Sequence, residues 1–248
     1  MKTVRRSAFA VPEDEDHRPG RKQMFLRTAL LVLKKDFAIE VRSREILYTT
    51  LLFAVSCVMI FSIAFVKEGE PVPGAAPGIL WVAIAFAGTL ALGRTFERER
   101  YSETLRALLL APSPRAAIYV GKLLGMVVLM MTAELLLVPT IAFLFRAPLF
   151  SRPLLLVALL VLGTIGFASV GTLFAAMLIR ARTRDVMLPI LLYPITIPVM
   201  IAGVLGTGAL LQSPVDEAVA VMWIGVLGSV DTVFLTLALW TFEPLMTE

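Results

Sequence analysis

Two carboxylates stand where a bilayer would have to surround them. Glu134 lies inside the apolar run that ends near Phe145, and Asp231 lies inside the last such run of the chain. An unpaired charge at that depth costs roughly 2.5 to 3.5 kcal/mol on insertion scales, so each acid must face a cavity, a hydrogen-bond partner or another subunit. The other polar feature is a charged stretch between two greasy ones, Arg94 to Lys122. Within it Glu97 and Arg100, and again Glu103 and Arg106, have the i,i+3 spacing of helical ion pairs, alongside Arg98 and Glu99. Phe96, Tyr101, Leu105, Leu108 and Leu109 supply an apolar set beside those charges. Ser102 suits a helix N-cap with Glu103 in the first turn, and Pro112 suits the stop. Ser113-Pro114 then fits the N-cap and first position of the next membrane helix. The stretch reads as a short surface helix with a sticky face, held between two membrane helices and suited to docking another protein.

The chemistry that is missing narrows the function. No GxxxxGK[ST] segment occurs, so this chain has no loop of its own to cradle nucleotide phosphates, and any ATP would be hydrolysed on a partner chain. There is no Ser/His/Asp set, no CxxC and no pair of carboxylates at catalytic spacing on one helix, so no catalytic residue is named and the chain reads as a non-enzymatic subunit. The single histidine, His17, sits in a polar N-terminal tail, which leaves the spans without the commonest metal or heme ligand; no metal site is expected. The single cysteine, Cys57, lies in the first apolar run and has no partner for an intrachain disulfide.

The elements that must carry these residues follow from composition. With 58% hydrophobic residues and a mean hydropathy of +0.85, the chain is an all-α polytopic membrane protein rather than a soluble domain. Runs of roughly 20 apolar residues, enough for a core about 30 Å thick, mark six spans near 46–66, 75–93, 118–145, 154–179, 186–211 and 218–242. The fifth contains Pro189, Pro194 and Pro198, so kinks or breaks are expected there. Residues 1–22 mix both signs of charge with Pro and Gly and read as a mobile tail. Over 23–45, Leu26, Leu30, Leu33, Phe37 and Val41 recur at spacings of three and four among Arg27, Lys34, Lys35 and Arg42, which predicts an amphipathic helix lying in the membrane interface. Lys35, Asp36, Glu40, Arg42, Arg44 and Glu45 are its candidate polar contacts.

Orientation comes from the cations. All but three of the 23 lysines and arginines fall before the first span, in the 94–122 stretch or in the tight turn Arg180, Arg182, Arg184, Asp185; the exceptions are Lys67, Arg146 and Arg152. Cationic loops stay in the cytoplasm, so both termini and the 94–117 coupling segment are expected there, with the inner membrane as the location. The net charge of +4 has this topological cause and does not imply nucleic acid.

Certain residues then point to a family. Phe96 to Glu99, followed by Leu105, Leu108 to Pro112 and Gly121-Lys122, resembles the cytoplasmic coupling segment of the second type of ABC exporter permease. More particular are Lys35-Asp36 and Glu40 to Glu45 before the first span, Gly78 to Ala83 opening the second, and Val230-Asp231 with Phe242-Glu243 in the last. Together these are similar to the CcmB family of cytochrome c maturation transporters, over about Phe25 to the C-terminus. That resemblance implies a homodimeric six-helix permease carrying CcmA-type ATPases, with CcmC, CcmD and the heme chaperone CcmE as associates, and heme held on partner subunits. ATP hydrolysis on the partner would drive release of heme-loaded CcmE. A generic permease of the same type, exporting a lipid, drug or polysaccharide precursor, is the alternative.

Overall fold

The computed structural model describes residues 21–67, 70–102, 115–181 and 183–245. Seven long helices make up nearly all of it: α1 (Arg21–Ser43), α2 (Glu45–Ala64), α3 (Ala76–Ser102), α4 (Arg115–Leu144), α5 (Pro153–Met177), α6 (Arg184–Leu210) and α7 (Glu217–Leu245). Six of these, α2 to α7, are long and apolar enough to cross a membrane. The fold is that of a multi-pass membrane protein. In lipid no water is present to satisfy peptide groups, so a continuous helix is the state in which the backbone bonds itself throughout. The only paired strands among the described residues are β1 (Val66–Lys67) and β2 (Glu70–Pro71), an antiparallel clip between α2 and α3.

α3 and α5 are the inner helices, with most of their apolar windows buried, while α2 and α7 expose most of theirs on the outside of the bundle. Their centre is Trp81 of α3, whose indole is buried and donates Nε1–H to the Thr207 hydroxyl of α6 at 3.0 Å. A Cβ on Gly163 of α5 would lie 2.0 Å from that ring, and one on Gly203 of α6 2.3 Å from it. The two glycines therefore open the slot that the large ring fills, which is how membrane helices gain packing when hydrophobic burial alone favours neither lipid nor protein. Tyr119 at the start of α4 closes one end of the core, donating its hydroxyl to the Ser169 carbonyl at 2.9 Å and stacking at a tilt on Phe242 with centroids 5.2 Å apart.

Three details go beyond the sequence expectations. Arg94 to Glu99 belong to the second span's own helix: α3 begins at Ala76 and runs unbroken through them to Ser102, and the short surface helix expected between Ser102 and Pro112 lies outside the described residues. The apolar core periodicity of the second span simply continues, and Phe96 is buried. The three prolines of the fifth span lie within one continuous helix, α6, without a break. In α1 the face turned inward is Ala29 and Val32, whereas Leu26, Leu30, Phe37 and Val41 are exposed and Leu33 is half-buried. Outward-facing leucines are stable where the surroundings are lipid, and the inward face is chosen by the charges described next.

Candidate functional site

α1 and α2 meet at a sharp corner. Arg44 sits there with φ 54°, in the left-handed region that side chains seldom adopt, and provides no side-chain cap for α2. The cap comes from one turn back: Glu40 Oε1 accepts the backbone N–H of Leu47, the third residue of α2, at 2.8 Å. A carboxylate at a helix N-terminus satisfies an orphan donor and complements the helix dipole. The other oxygen of the same group accepts Arg98 Nη1 from α3 at 3.2 Å, and Arg98 also reaches Ser43 Oγ at 3.5 Å. Glu40 thus joins α1, α2 and α3.

One and two turns further into the fold lies a tighter cluster. Lys122 of α4 is 5% exposed. Its ammonium donates to Asp36 Oδ2 of α1 at 2.7 Å and to Glu99 Oε1 of α3. Lys35 adds its own ammonium, 3.0 Å from Asp36 Oδ1 and 3.4 Å from Glu99 Oε1. Two cations and two carboxylates from three helices therefore form one network, the arrangement that allows charge to be buried at all. The approach is set by Gly121: a Cβ there would stand 2.7 Å from the Ala29 carbonyl and 2.7 Å from Val32 Cβ. Only glycine lets the α1 backbone come this close to α4, and that closeness brings Asp36 to Lys122.

The sequence-derived site residues separate accordingly. Lys35, Asp36, Glu40, Arg98 and Glu99 converge on this junction, while Arg42 and Glu45 stay exposed. Glu97 lies 3.8 Å from Arg94, on the preceding turn of the same helix. Phe96 and Glu99 are buried within the chain, so neither forms a face for a partner. Arg100 and Tyr101 fall in the last turn of α3, and Arg180 in the single turn Leu178–Arg180. Glu103, Leu105, Leu108, Leu109, Pro112 and Arg182 lie outside the described residues. Arg184 is buried, not a solvated turn residue: its Nη2 donates to the Gly93 carbonyl of α3 at 2.6 Å and its Nε lies 3.5 Å from Asp185.

The two intramembrane acids are not brought together. Glu134 of α4 accepts the Thr164 hydroxyl of α5, in a small enclosed space shared with Thr50 of α2 and Ala87 of α3. Asp231 of α7 is 4% exposed and packs against Gly166 of α5, where a Cβ would lie 2.4 Å from its Oδ1. Neither Asp231 oxygen has a hydrogen-bond partner among the described residues. Thr164 and Gly166 are two positions apart, roughly 200° round a helix, so α5 stands between the acids. No three His, Cys, Asp or Glu side chains gather in a metal-binding group among the described residues.

Sequence reasoning missed Lys122 and Gly121 as members of the site. The available signal was a lone lysine directly after a glycine, one turn inside an apolar run.

Comparison with known proteins agrees with the architecture. The heme exporter protein B of Pseudomonas aeruginosa is 29% identical over 183 residues, covering 74% of this chain and 80% of that protein. The protein of the same name from Rhodobacter capsulatus is 28% identical over 172 residues, 69% of this chain and 78% of the relative. That of Paracoccus denitrificans is 30% identical over 152 residues, 61% and 68% respectively. Residues 27–244 match the family described as CcmB protein, a span that takes in α1 from its second turn, the whole ionic junction and all six membrane helices. The chain belongs to the CcmB protein family.

Proposed function

We propose that this chain is the membrane subunit of an ATP-driven transporter of cytochrome c maturation, coupling hydrolysis on a separate CcmA-type ATPase to heme handling and the release of heme-loaded CcmE. The relatives' name, heme exporter protein B, supports the heme assignment. The observation that carries the coupling is the junction of Asp36, Glu99, Lys122 and Lys35. It ties α1 to the two helices, α3 and α4, that flank the 103–114 segment. A force on that segment is delivered to three helices at once, because the ion pairs bind them into one body.

In this reading the junction faces the cytoplasm, the ATPase engages the 103–114 segment with the half-buried Glu97 beside it, and closure of the ATPase pair shifts α1, α3 and α4 together against α5, α6 and α7. The chain works as a homodimer alongside CcmC, CcmD and CcmE. Heme is cargo and sits on partner subunits, since no histidine occurs in any span to ligate its iron. The test is a double charge reversal, Glu97→Lys with Glu103→Lys, which leaves the buried Glu99 intact. Co-purification of the ATPase should fall at least fivefold and cytochrome c assembly should stop, with the variant still present in the membrane at wild-type level. Undiminished co-purification together with normal assembly would overturn the proposal.

A further inference from the structure

Beside the ionic junction a groove of about 440 Å³ opens to the exterior. One wall belongs to α4, where Lys122, Gly125, Met126, Leu129 and Thr132 recur at three- and four-residue spacing and so share one helix face. From Lys122 to Thr132 is ten residues, roughly 15 Å of helix at 1.5 Å per residue. Half of a hydrocarbon core about 30 Å thick has the same depth. The groove therefore runs from the polar boundary to the bilayer midplane, the reach of one leaflet's acyl chains. The opposite wall is formed by the outer residues of α1, including Phe37 and Val41, and by the first turn of α2.

The charges at its mouth are not balanced. Arg44, Arg98 and Lys122 line it against Asp36 and Glu40. Asp36 is taken by Lys122 and Glu40 by Arg98, which leaves Arg44. Its Nε donates to the Val41 carbonyl at 3.4 Å and its Nη1 to the Tyr48 hydroxyl at 3.5 Å, and it meets no carboxylate among the described residues. The left-handed backbone at Arg44 places this exposed residue at the corner between α1 and α2. A planar guanidinium beside a tyrosine hydroxyl, above an apolar slot one leaflet deep, matches a phosphate headed by charge and tailed by hydrocarbon.

We propose that the groove seats one anionic phospholipid from the leaflet adjoining α1, with its phosphate on Arg44 and Tyr48 and one acyl chain along α4 from Met126 to Thr132. Neither the family assignment nor the coupling role supplies this site, and it does not depend on them.

The test uses the full chain, purified in a nonionic detergent, delipidated and titrated with dioleoyl phosphatidylglycerol or dioleoyl phosphatidylcholine, with retained lipid counted by native mass spectrometry. The wild type should retain one phosphatidylglycerol with at least a fivefold preference over phosphatidylcholine. Arg44→Gln should abolish that preference, and Arg44→Lys should keep part of it. Val128→Trp, a change at an exposed groove position, should block retention of both lipids while thermal unfolding stays as in the wild type. Should Arg44→Gln fail to fold, Val128→Trp decides alone. Equal retention of the two lipids by the wild type, or wild-type retention in Val128→Trp, would overturn the proposal. So would a Val128→Trp variant that loses the ATPase and keeps its lipid, since the groove would then be a protein-docking surface.

Discussion

The two ends of the helix bundle hold their ion pairs in opposite ways. At the α1 end, Lys122 and Asp36 have side chains only 3% and 15% exposed, and the pair belongs to a network across three helices. At the other end, Arg146 and Glu70 meet at 2.9 Å but are 76% and 66% exposed, and Arg152 meets Glu217 with both about half exposed. A surface pair exchanges water for a partner at little net gain, about 0 to 1 kcal/mol. A buried pair gains little over an apolar substitute but is costly to break halfway, because the remaining charge cannot recover its water. The distribution teaches that one end of this molecule can flex freely at its loops, whereas the other moves as a unit or not at all.

The strongest way to break this contrast is Lys122→Met. It leaves Asp36 and Glu99 with the half-buried Lys35 as their one remaining cation in the network, and the loss should approach the roughly 3 to 5 kcal/mol of a broken buried pair, read as a lower unfolding temperature in detergent. Asp36→Asn added to it should recover part of the loss, because the like charges are reduced. Next in size is Gly121→Val, which puts side-chain atoms into the Ala29 carbonyl and Val32. It should lift α1 from α4, so that a cysteine placed at Ala29 becomes reactive to maleimide at least tenfold faster than in the parent. Arg98→Ala should cost less, about 1.5 to 3 kcal/mol for a charged hydrogen bond, since Glu40 keeps its hold on Leu47 N–H. At the far end, Arg146→Ala and Arg152→Ala should each cost under about 1 kcal/mol, an effect that vanishes in roughly 1 M salt. An Arg146→Ala loss equal to that of Lys122→Met would mean that burial is not what separates the two ends.

Between those ends the acids test a different quantity. Glu134→Gln keeps an acceptor for Thr164, and Asp231→Asn keeps the shape against Gly166. Both should lower cytochrome c assembly more than they lower the amount of protein in the membrane; full activity in both would remove them from the site.

The six spans were legible because a bilayer imposes length and composition directly on the sequence, and the apolar runs around Cys57 or Val199 admit no other reading. The inward face of α1 was not legible. Periodicity selects Leu26, Leu30, Leu33, Phe37 and Val41 as the face for the membrane interface, and it does not report that Ala29 and Val32, in line with Asp36, are the residues buried within the chain. Hydrophobic patterning assumes water outside, whereas a leucine is at ease in lipid and Asp36 must find a cation. That cation lies 86 residues away in α4, a distance no local spacing reports. The candidate site was half visible for the same reason: Lys35, Asp36, Glu40, Arg98 and Glu99 stood out as charges near apolar runs, but Gly121-Lys122 gained its meaning only when α1 was laid across it. Hydropathy also could not show that the Arg94–Glu99 charges continue the helix below them, as α3 does to Ser102.

The 86-residue gap between Asp36 and Lys122 also sets an order of events during synthesis. At about 5 to 20 residues per second, α1 leaves the ribosome roughly 4 to 17 seconds before its partner helix exists. Throughout that interval its outer leucines, Phe37 and Val41 have only the lipid surface to rest on, and Asp36 has only Lys35 beside it. The first helix made therefore waits for the fourth before it can be locked, while α5, α6 and α7 are still to come. Closure of Lys122 onto Asp36 joins the first half of the chain, α1 to α3 and α4, ahead of the second.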